Sequence, residues 1–237
     1  MRIGNRKGDK YPKDSNFEGA YGFCGGSIIA SKYILTAAHC LDKKSKSGEY
    51  RGRYEAYEIA VKIGDHNIKD DSDDLQGLPA IFINVESIHR HNKWSKTNPN
   101  VHNGYDVALL ELTEDVDLSR YKPVCLAKSS SGAKFDYKIA KAVGWGYIKE
   151  YPLKVIPNAP FAVDLQVVDK VHCQRQSPVK NLATRLCANV NHCQWEILNG
   201  KPVCGFLKGI CMVRKRGVFI LHILRIEIFN HVIANIK

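Results

Sequence analysis

Short β-favouring runs separated by polar, turn-rich segments recur along this chain of 237 residues. The runs include "GSIIASKYILTAA", "EAYEIAVKIG", "AIFINVESI", "YDVALLEL", "AKAVGWG" and "FAVDLQVV", and the segments between them include "KKSKSGEYRGR", "KDDSDDLQG" and "KTNPNVHNG". Strands at this spacing are typical of β-barrels and β-sandwiches. A chain of this length can bury a sizeable core, so the pattern predicts one compact all-β unit of two similar halves.

The eight cysteines are many for a cytosolic protein of this size, and none forms a C-x-x-C pair. This usage favours disulfides in an oxidising compartment over zinc. The opening residues, "MRIGNRKGDKYPKD", are charged and lack an apolar run, so we do not expect them to form a secretory signal. Either the chain is incomplete at its start or its cysteines are reduced.

The formal net charge of +11 is compatible with polyanion binding, because fields of Lys and Arg attract nucleic acids and heparin-like polymers. No aromatic-basic interleaving accompanies these charges, so we expect solvated charges and no nucleic-acid partner. The apolar stretch "GVFILHILRIEIFNHVIANI" is interrupted by His222, Arg225, Glu227 and His231. It predicts a buried strand and a terminal helix rather than a membrane span.

Two residues are candidates for proton transfer. His39 in "LTAAHC" stands among small residues beside a cysteine, where a general base held by its neighbour and a satisfied core histidine are both possible. Asp106 directly precedes the apolar run of "YDVALLEL". It is either a turn residue at a strand end or a carboxylate that accepts an imidazole N–H and fixes its tautomer.

Four motifs, "FCGGSIIASKYILTAAHC", "YDVALLEL", "VCLAK" and "AKAVGWG", follow one another in this order. With them, the chain from about Phe23 to about Cys187 resembles the trypsin-like (chymotrypsin-fold, peptidase family S1) serine proteases, and most of all the extracellular clip-domain and venom proteases of arthropods. The resemblance implies an all-β, two-barrel fold with a short C-terminal helix. It also implies that His39 is the general base and Asp106 its orienting carboxylate.

The same resemblance implies a single peptidase domain over residues 1–237. Its N-terminal barrel would span 1–115 and its C-terminal barrel 116–237, the latter incomplete and degraded after about residue 204. The segment "MRIGNRKGDKYPKDSNFEGAYGF" resembles the family in or just beyond its first strand. The weaker interpretation takes Arg2 to Asn5 as a degenerate activation site.

Disulfides and ligands also follow from the resemblance. It implies the pairs Cys24 with Cys40 and Cys173 with Cys187, and a bond from Cys125 to an upstream light chain. The pairing of Cys193, Cys204 and Cys211 stays open. No cofactor or metal is expected, although the acidic loop from Asp65 to Asp74, with Asp70, Asp71 and Asp73, is either a calcium site or a solvated loop.

The chain departs from the family where the nucleophile should be. A Gly-Asp-Ser-Gly-Gly loop is expected shortly after Cys204, but the sequence reads "CGFLKGICMV", with Phe206, Leu207 and Lys208 at the expected Asp and Ser positions. The last serine is Ser177 and the last threonine Thr184. No local realignment therefore supplies a hydroxyl nucleophile, and a thiol at Cys204 or Cys211 is the remaining alternative.

The last aspartate of the chain is Asp169, so the carboxylate that accepts the charged N-terminus in active relatives is missing as well. We therefore expect a secreted serine protease homologue, a pseudoenzyme with a binding or regulatory role toward a protein or peptide partner in an extracellular protease cascade. The alternative is an active secreted serine endopeptidase whose sequence is truncated or frameshifted here.

Overall fold

The structure is a computed structural model that describes residues 1–5, 24–45, 47–68, 79–94, 105–126, 135–146, 157–176, 186–190, 195–198, 201–204, 212–215 and 218–221. These residues form two compact units, one containing the described residues up to 126 and the other those from 135 onward. Both units consist mainly of antiparallel strands, and among the described residues the one α-helix is α1 (Lys170–Gln176). The all-β prediction is confirmed.

The strands of the first unit are β1 (Arg2–Asn5), β2 (Cys24–Gly25), β3 (Ser27–Ala30), β4 (Tyr33–Thr36), β5 (Asp42–Lys44), β6 (Tyr50–Arg53), β7 (Ile59–Ile63), β8 (Ile81–Arg90) and β9 (Ala108–Leu112). Seven of them form one sheet in the order β2-β1-β7-β8-β9-β4-β3, and β5 pairs with β6 in a separate hairpin. Only Gly26 separates the edge strands β2 and β3 along the chain. The sheet therefore curls into a nearly closed barrel.

Apolar side chains from alternate strand positions fill this barrel, as the period of two in a half-buried strand requires. The fully or almost fully buried members of this core include Ile3, Ile34, Leu41, Ile59, Val61, Ile63, Leu110 and Leu112. Within the sheet, β4 runs antiparallel to β9, with Thr36 opposite Ala108. The end of β4 and the start of β9 therefore lie side by side at the same end of the barrel. The residues that follow Thr36 and those that precede Ala108 come together there.

The first residues of the chain lie in the barrel sheet. Arg2 to Asn5 pair with β7, with Ile3 opposite Val61, and Arg2 and Ile3 also pair with β2, with Ile3 opposite Cys24. Ile3 is fully buried in the barrel core. Residues 2–5 therefore form a strand of the first unit's sheet, while both interpretations of the opening segment stay predictions.

Residues 116–126 belong to the first unit and are hydrogen-bonded to its barrel. The Val116 N–H donates to the Ser31 carbonyl at 2.8 Å, and the Val124 N–H donates to the Ile28 carbonyl at 2.9 Å. The predicted single peptidase domain divided between residues 115 and 116 stays a prediction, but this segment belongs with the first unit in the structure.

The second unit contains β10 (Ile139–Gly144), β11 (Phe161–Val168), β12 (Leu186–Val190), β13 (Trp195–Leu198), β14 (Lys201–Cys204), β15 (Met212–Lys215) and β16 (Val218–Leu221). Five strands form a sheet in the order β10-β11-β12-β16-β15, and β13 pairs with β14. The predicted C-terminal helix and the loop after Cys204 lie outside the described residues, and the incompleteness of the second barrel stays a prediction. No helix in the described part of the chain has the length and apolar character needed to span a membrane.

Candidate catalytic site

His39 lies in a short 3-10 helix, Ala38–Leu41, that directly follows β4. The helix is closed by a hydrogen bond from the Cys40 N–H to the Ala37 carbonyl at 3.1 Å. A disulfide between Cys24 and Cys40 ties this helix to β2, as predicted from the resemblance. The strand before His39 and the disulfide at the next residue, Cys40, therefore both restrict its position.

Asp106 lies just before β9, between two residues with well-defined contacts. Tyr105 has a φ of 58°, a left-handed conformation that is uncommon for an aromatic residue. Its ring stacks on the buried His91 ring at a centroid distance of 4.7 Å, and the His91 N–H donates to the Val107 carbonyl at 3.1 Å. The sequence analysis did not identify Tyr105 or His91, because no local pattern predicts a left-handed tyrosine.

The structure brings the two predicted catalytic residues into direct contact. The Nδ1 atom of His39 lies 2.7 Å from Oδ2 of Asp106, and the His39 backbone N–H donates to Oδ1 at 2.9 Å. The Asp106 side chain is 1% exposed and that of His39 is 24% exposed. Because Asp106 accepts the Nδ1 proton, the neutral tautomer carries its lone pair on Nε2, the nitrogen that a general base uses to take a proton.

A second buried carboxylate, Asp42, lies directly after the His39 helix. Its Oδ2 accepts a hydrogen bond from the indole N–H of Trp94 at 3.2 Å. Burial raises the pKa of Asp42, while the Trp94 hydrogen bond and the charges of Arg53 and Arg90 act in the opposite direction. Arg90 donates to the Leu41 carbonyl at 3.2 Å and to the Tyr54 carbonyl at 2.7 Å, which fixes the end of the His39 helix against β6 and its following loop.

The other predicted site residues lie elsewhere. Cys173 and Cys187 form the predicted disulfide between α1 and β12, and Cys125 is exposed and carries a free thiol. Asp65 is buried and forms ion pairs with Arg2 and Lys62, the latter at 3.5 Å, so its carboxylate is engaged by the chain's own cations. Four predicted residues of the acidic loop and two cysteines lie outside the described residues: Asp70, Asp71, Asp73, Asp74, Cys193 and Cys211.

One group of potential metal ligands includes His39 itself. Side-chain donor atoms of Cys24, His39 and Cys40 lie within 4.8 Å of one another. The two sulfur atoms are joined in a disulfide, so neither is a thiolate that could ligate a metal. The disulfide therefore restrains the position of His39 and does not form a metal site with it. The His39 ring stays in contact with Asp106.

Comparison with known proteins shows which family this chain belongs to. The trypsin family model matches residues 7–197. The chain belongs to the trypsin family. Among curated members, mouse kallikrein-8 is 28% identical over 200 residues, covering 82% of this chain and 67% of that protein. Rat serine protease 1 is 29% identical over 206 residues, covering 84% and 72%.

A further trypsin-family relative, CLIP domain-containing serine protease B10 of Anopheles gambiae, is 33% identical over 132 residues, covering 52% of this chain and 34% of that protein. This chain thus spans from one third to about three quarters of these relatives. Among solved structures, mouse neuropsin has a TM-score of 0.66 at 23% identity, covering 93% of this chain and 92% of neuropsin. This likeness confirms the two-barrel, chymotrypsin-like fold class.

Proposed function

We propose that this chain is a secreted serine protease homologue without proteolytic activity of its own, acting as a binding or regulatory protein in an extracellular protease cascade. The observation that carries the proposal is the sequence "CGFLKGICMV" from Cys204, which replaces the Gly-Asp-Ser-Gly-Gly loop of the family. The match to the trypsin family model ends at residue 197, before this segment. We infer that His39 and Asp106 lack the serine nucleophile with which they would form a triad.

The physical reason for inactivity is the loss of two functions that one loop performs. The loop after Cys204 offers His39 no hydroxyl to deprotonate, because the chain contains neither serine nor threonine after Thr184. In such a site the nucleophile and the base act as a unit, and losing the serine removes most of a rate gain of roughly 10⁶-fold. The oxyanion hole is built from backbone N–H groups of the same loop, where Phe206, Leu207 and Lys208 disfavour the backbone turns that glycine permits.

Secretion is supported by the disulfides. Cys24–Cys40 and Cys173–Cys187 are both formed, one in each unit, and disulfides persist in oxidising compartments. The exposed thiol of Cys125 is available for a bond to a second chain. Relatives named CLIP domain-containing serine proteases B9 and B10 support a place in a protease cascade, with a protein or peptide as the partner.

The proposed regulatory role is tested by adding the purified chain to extracellular fluid from its source and measuring the rate of protease activation. The His39→Ala variant, checked for folding by circular dichroism, is the matched comparison. A binding role predicts that wild type and His39→Ala change the rate equally. A change in rate that disappears with His39→Ala, while an excess of the variant still blocks the effect of wild type, would contradict the proposal, because binding would be intact and only the imidazole chemistry lost.

The second candidate is an active secreted serine endopeptidase whose recorded sequence departs from the natural one after Cys204. The hydrogen-bonded geometry of His39 and Asp106, suited to a general base, favours this candidate. Fluorophosphonate labelling of native protein from the source would support the enzyme and reject the homologue. A continuous transcript encoding the same loop would reject the second candidate.

A further inference from the structure

Asp106 lies at the centre of a tight turn that directly precedes β9. The Val107 N–H donates to the Tyr105 carbonyl at 2.8 Å, and a bond between residues i and i+2 defines a γ-turn. Such a turn fixes both backbone dihedrals of its central residue. It therefore sets the direction in which the Asp106 side chain leaves the backbone, and that side chain contacts Nδ1 of His39 at 2.7 Å.

Tyr105 enters this turn in a conformation that its surroundings must hold. Its φ of 58° is a left-handed value, which an aromatic residue adopts only with backbone strain. Its ring makes two contacts that hold the residue in place. It stacks on the His91 ring at a centroid distance of 4.7 Å, and the Lys93 ammonium lies 5.2 Å from its centre. Removal of the ring would remove both contacts from the γ-turn.

The His91 ring has a fixed position and orientation. His91 is 4% exposed, and its Nδ1 accepts a hydrogen bond from the Lys93 backbone N–H at 3.1 Å, which restricts rotation of the imidazole. The His91 N–H donates to the Val107 carbonyl at 3.1 Å, and the His91 carbonyl accepts from the Trp94 N–H at 2.9 Å. His91 therefore contacts the γ-turn through both its ring and its backbone.

The segment 90–94 also contacts the 3-10 helix that carries His39. Arg90 donates at 3.2 Å to the carbonyl of Leu41, the last residue of that helix. The Trp94 indole N–H donates at 3.2 Å to the buried carboxylate of the residue that follows the helix. One short segment at the end of β8 therefore contacts both halves of the candidate site.

We propose that Tyr105 and His91 are positioning residues of this site: their stacked rings hold the γ-turn that points the Asp106 carboxylate at Nδ1 of His39. They act through Asp106, which selects the His39 tautomer that carries its proton on Nδ1. The proposal concerns the geometry of the pair and needs no nucleophile. It therefore stands independently of the proposed function and holds for either candidate function.

The tautomer of His39 is the readout, because a change in overall stability does not alter it in molecules that remain folded. The chain is prepared with isotope-labelled histidine, and long-range proton–nitrogen correlation spectra are recorded at about pH 9, where imidazoles are neutral. These spectra report which ring nitrogen carries the proton, and His39→Ala identifies the His39 signals. In wild type we expect the Nδ1–H tautomer to dominate, because Asp106 accepts that proton.

Two variants, Tyr105→Gly and Tyr105→Asn, remove the ring but leave a residue that tolerates positive φ. We expect each to lower the ratio of the Nδ1–H to the Nε2–H tautomer of His39 by at least about fivefold, because the hydrogen bond to Asp106 forms less often. Tyr105→Phe keeps the ring and should retain the wild-type ratio. His91→Ala removes the stacking partner and should lower the ratio as the two ring-free variants do.

Tyr137→Gly is the matched control, because Tyr137 is also a tyrosine with a positive φ, 63°, but belongs to the second unit. It should leave the His39 tautomer ratio unchanged. Tyr105 is only partly buried, so we expect its ring-free variants to fold, and circular dichroism checks this. An unchanged ratio in folded Tyr105→Gly or Tyr105→Asn would overturn the proposal. An equal fall in Tyr105→Phe or in Tyr137→Gly would overturn it as well.

Discussion

At the scale of single residues, Asp106 contributes to the fold as well as to the orientation of His39. Its buried carboxylate accepts hydrogen bonds from both the backbone and the ring of His39. A buried charge with these partners is costly to replace by an apolar group, because the donors lose their acceptor. This structural contribution does not depend on a nucleophile, so the proposed loss of the serine would leave it in place.

Replacing Asp106 tests this contribution. We expect Asp106→Ala to lower the free energy of unfolding by about 3 kcal/mol, because two N–H donors of His39 are left without an acceptor. Asp106→Asn retains an oxygen for the backbone N–H and should lose at least about 1 kcal/mol less. Urea denaturation measures both values. Equal losses in the two variants would show that the hydrogen bonds to His39 do not stabilise the fold.

At the scale of elements, Glu58 links the β5–β6 hairpin to the 3-10 helix Ala56–Glu58. One carboxylate oxygen accepts from the Glu55 backbone N–H at 2.8 Å, and the other lies 2.6 Å from Nζ of Lys43 on β5. The Glu55 hydrogen bond and the Lys43 contact lower the pKa of Glu58. A carboxyl group whose pKa falls on folding stabilises the protein above its unfolded pKa and loses that contribution as the pH falls through the folded pKa.

This pH dependence is testable with Glu58→Gln. The free energy of unfolding should differ between wild type and variant at about pH 7, where the Glu58 carboxylate is ionised. The difference should shrink as the pH falls below the ordinary glutamate value, because wild type loses the contribution that the variant never had. Urea denaturation at about pH 7 and about pH 3 gives the comparison. A difference that is unchanged across this range would contradict the assignment.

Two glycines with positive φ, Gly48 and Gly64, differ in whether an added side chain would also meet a neighbouring atom. Gly64 follows β7 with a φ of +83°, and a Cβ there would lie 2.8 Å from the Tyr121 ring. That ring is held because its hydroxyl donates to the Pro79 carbonyl at 2.6 Å. Gly48, in the β5–β6 hairpin, has a φ of +86° but no atom within 4 Å of such a Cβ.

Alanine at these glycines should therefore have different effects. We expect Gly48→Ala to cost about 1 kcal/mol from backbone strain alone, and Gly64→Ala about 3 kcal/mol because the ring must also move. Thermal denaturation of the two variants under the same conditions measures the difference. If Gly64→Ala proves no worse than Gly48→Ala, the Tyr121 contact is not a constraint on this turn.

At the scale of the whole molecule, the sequence predicted what depends on local pattern and on family motifs. Period-two runs predicted the strands, and "LTAAHC" and "YDVALLEL" predicted the residues that meet as His39 and Asp106. The contact between His39 and Asp106 depends on the pairing of β4 with β9, two strands that lie far apart in the sequence. For the same reason the hydrogen bonds of Glu111 with Ser87 and His89 were not predicted, since Glu111 reaches them only through the pairing of β8 with β9.

The central claim is that His39 and Asp106 are assembled in a chain that has no nucleophile for them to serve. The most direct test is the intact mass of the purified, folded chain after incubation with a fluorophosphonate probe, with trypsin as the positive control. The account predicts that trypsin gains the mass of one adduct and that the mass of this chain does not change. One adduct per molecule of this chain, absent in the His39→Ala variant, would contradict the account.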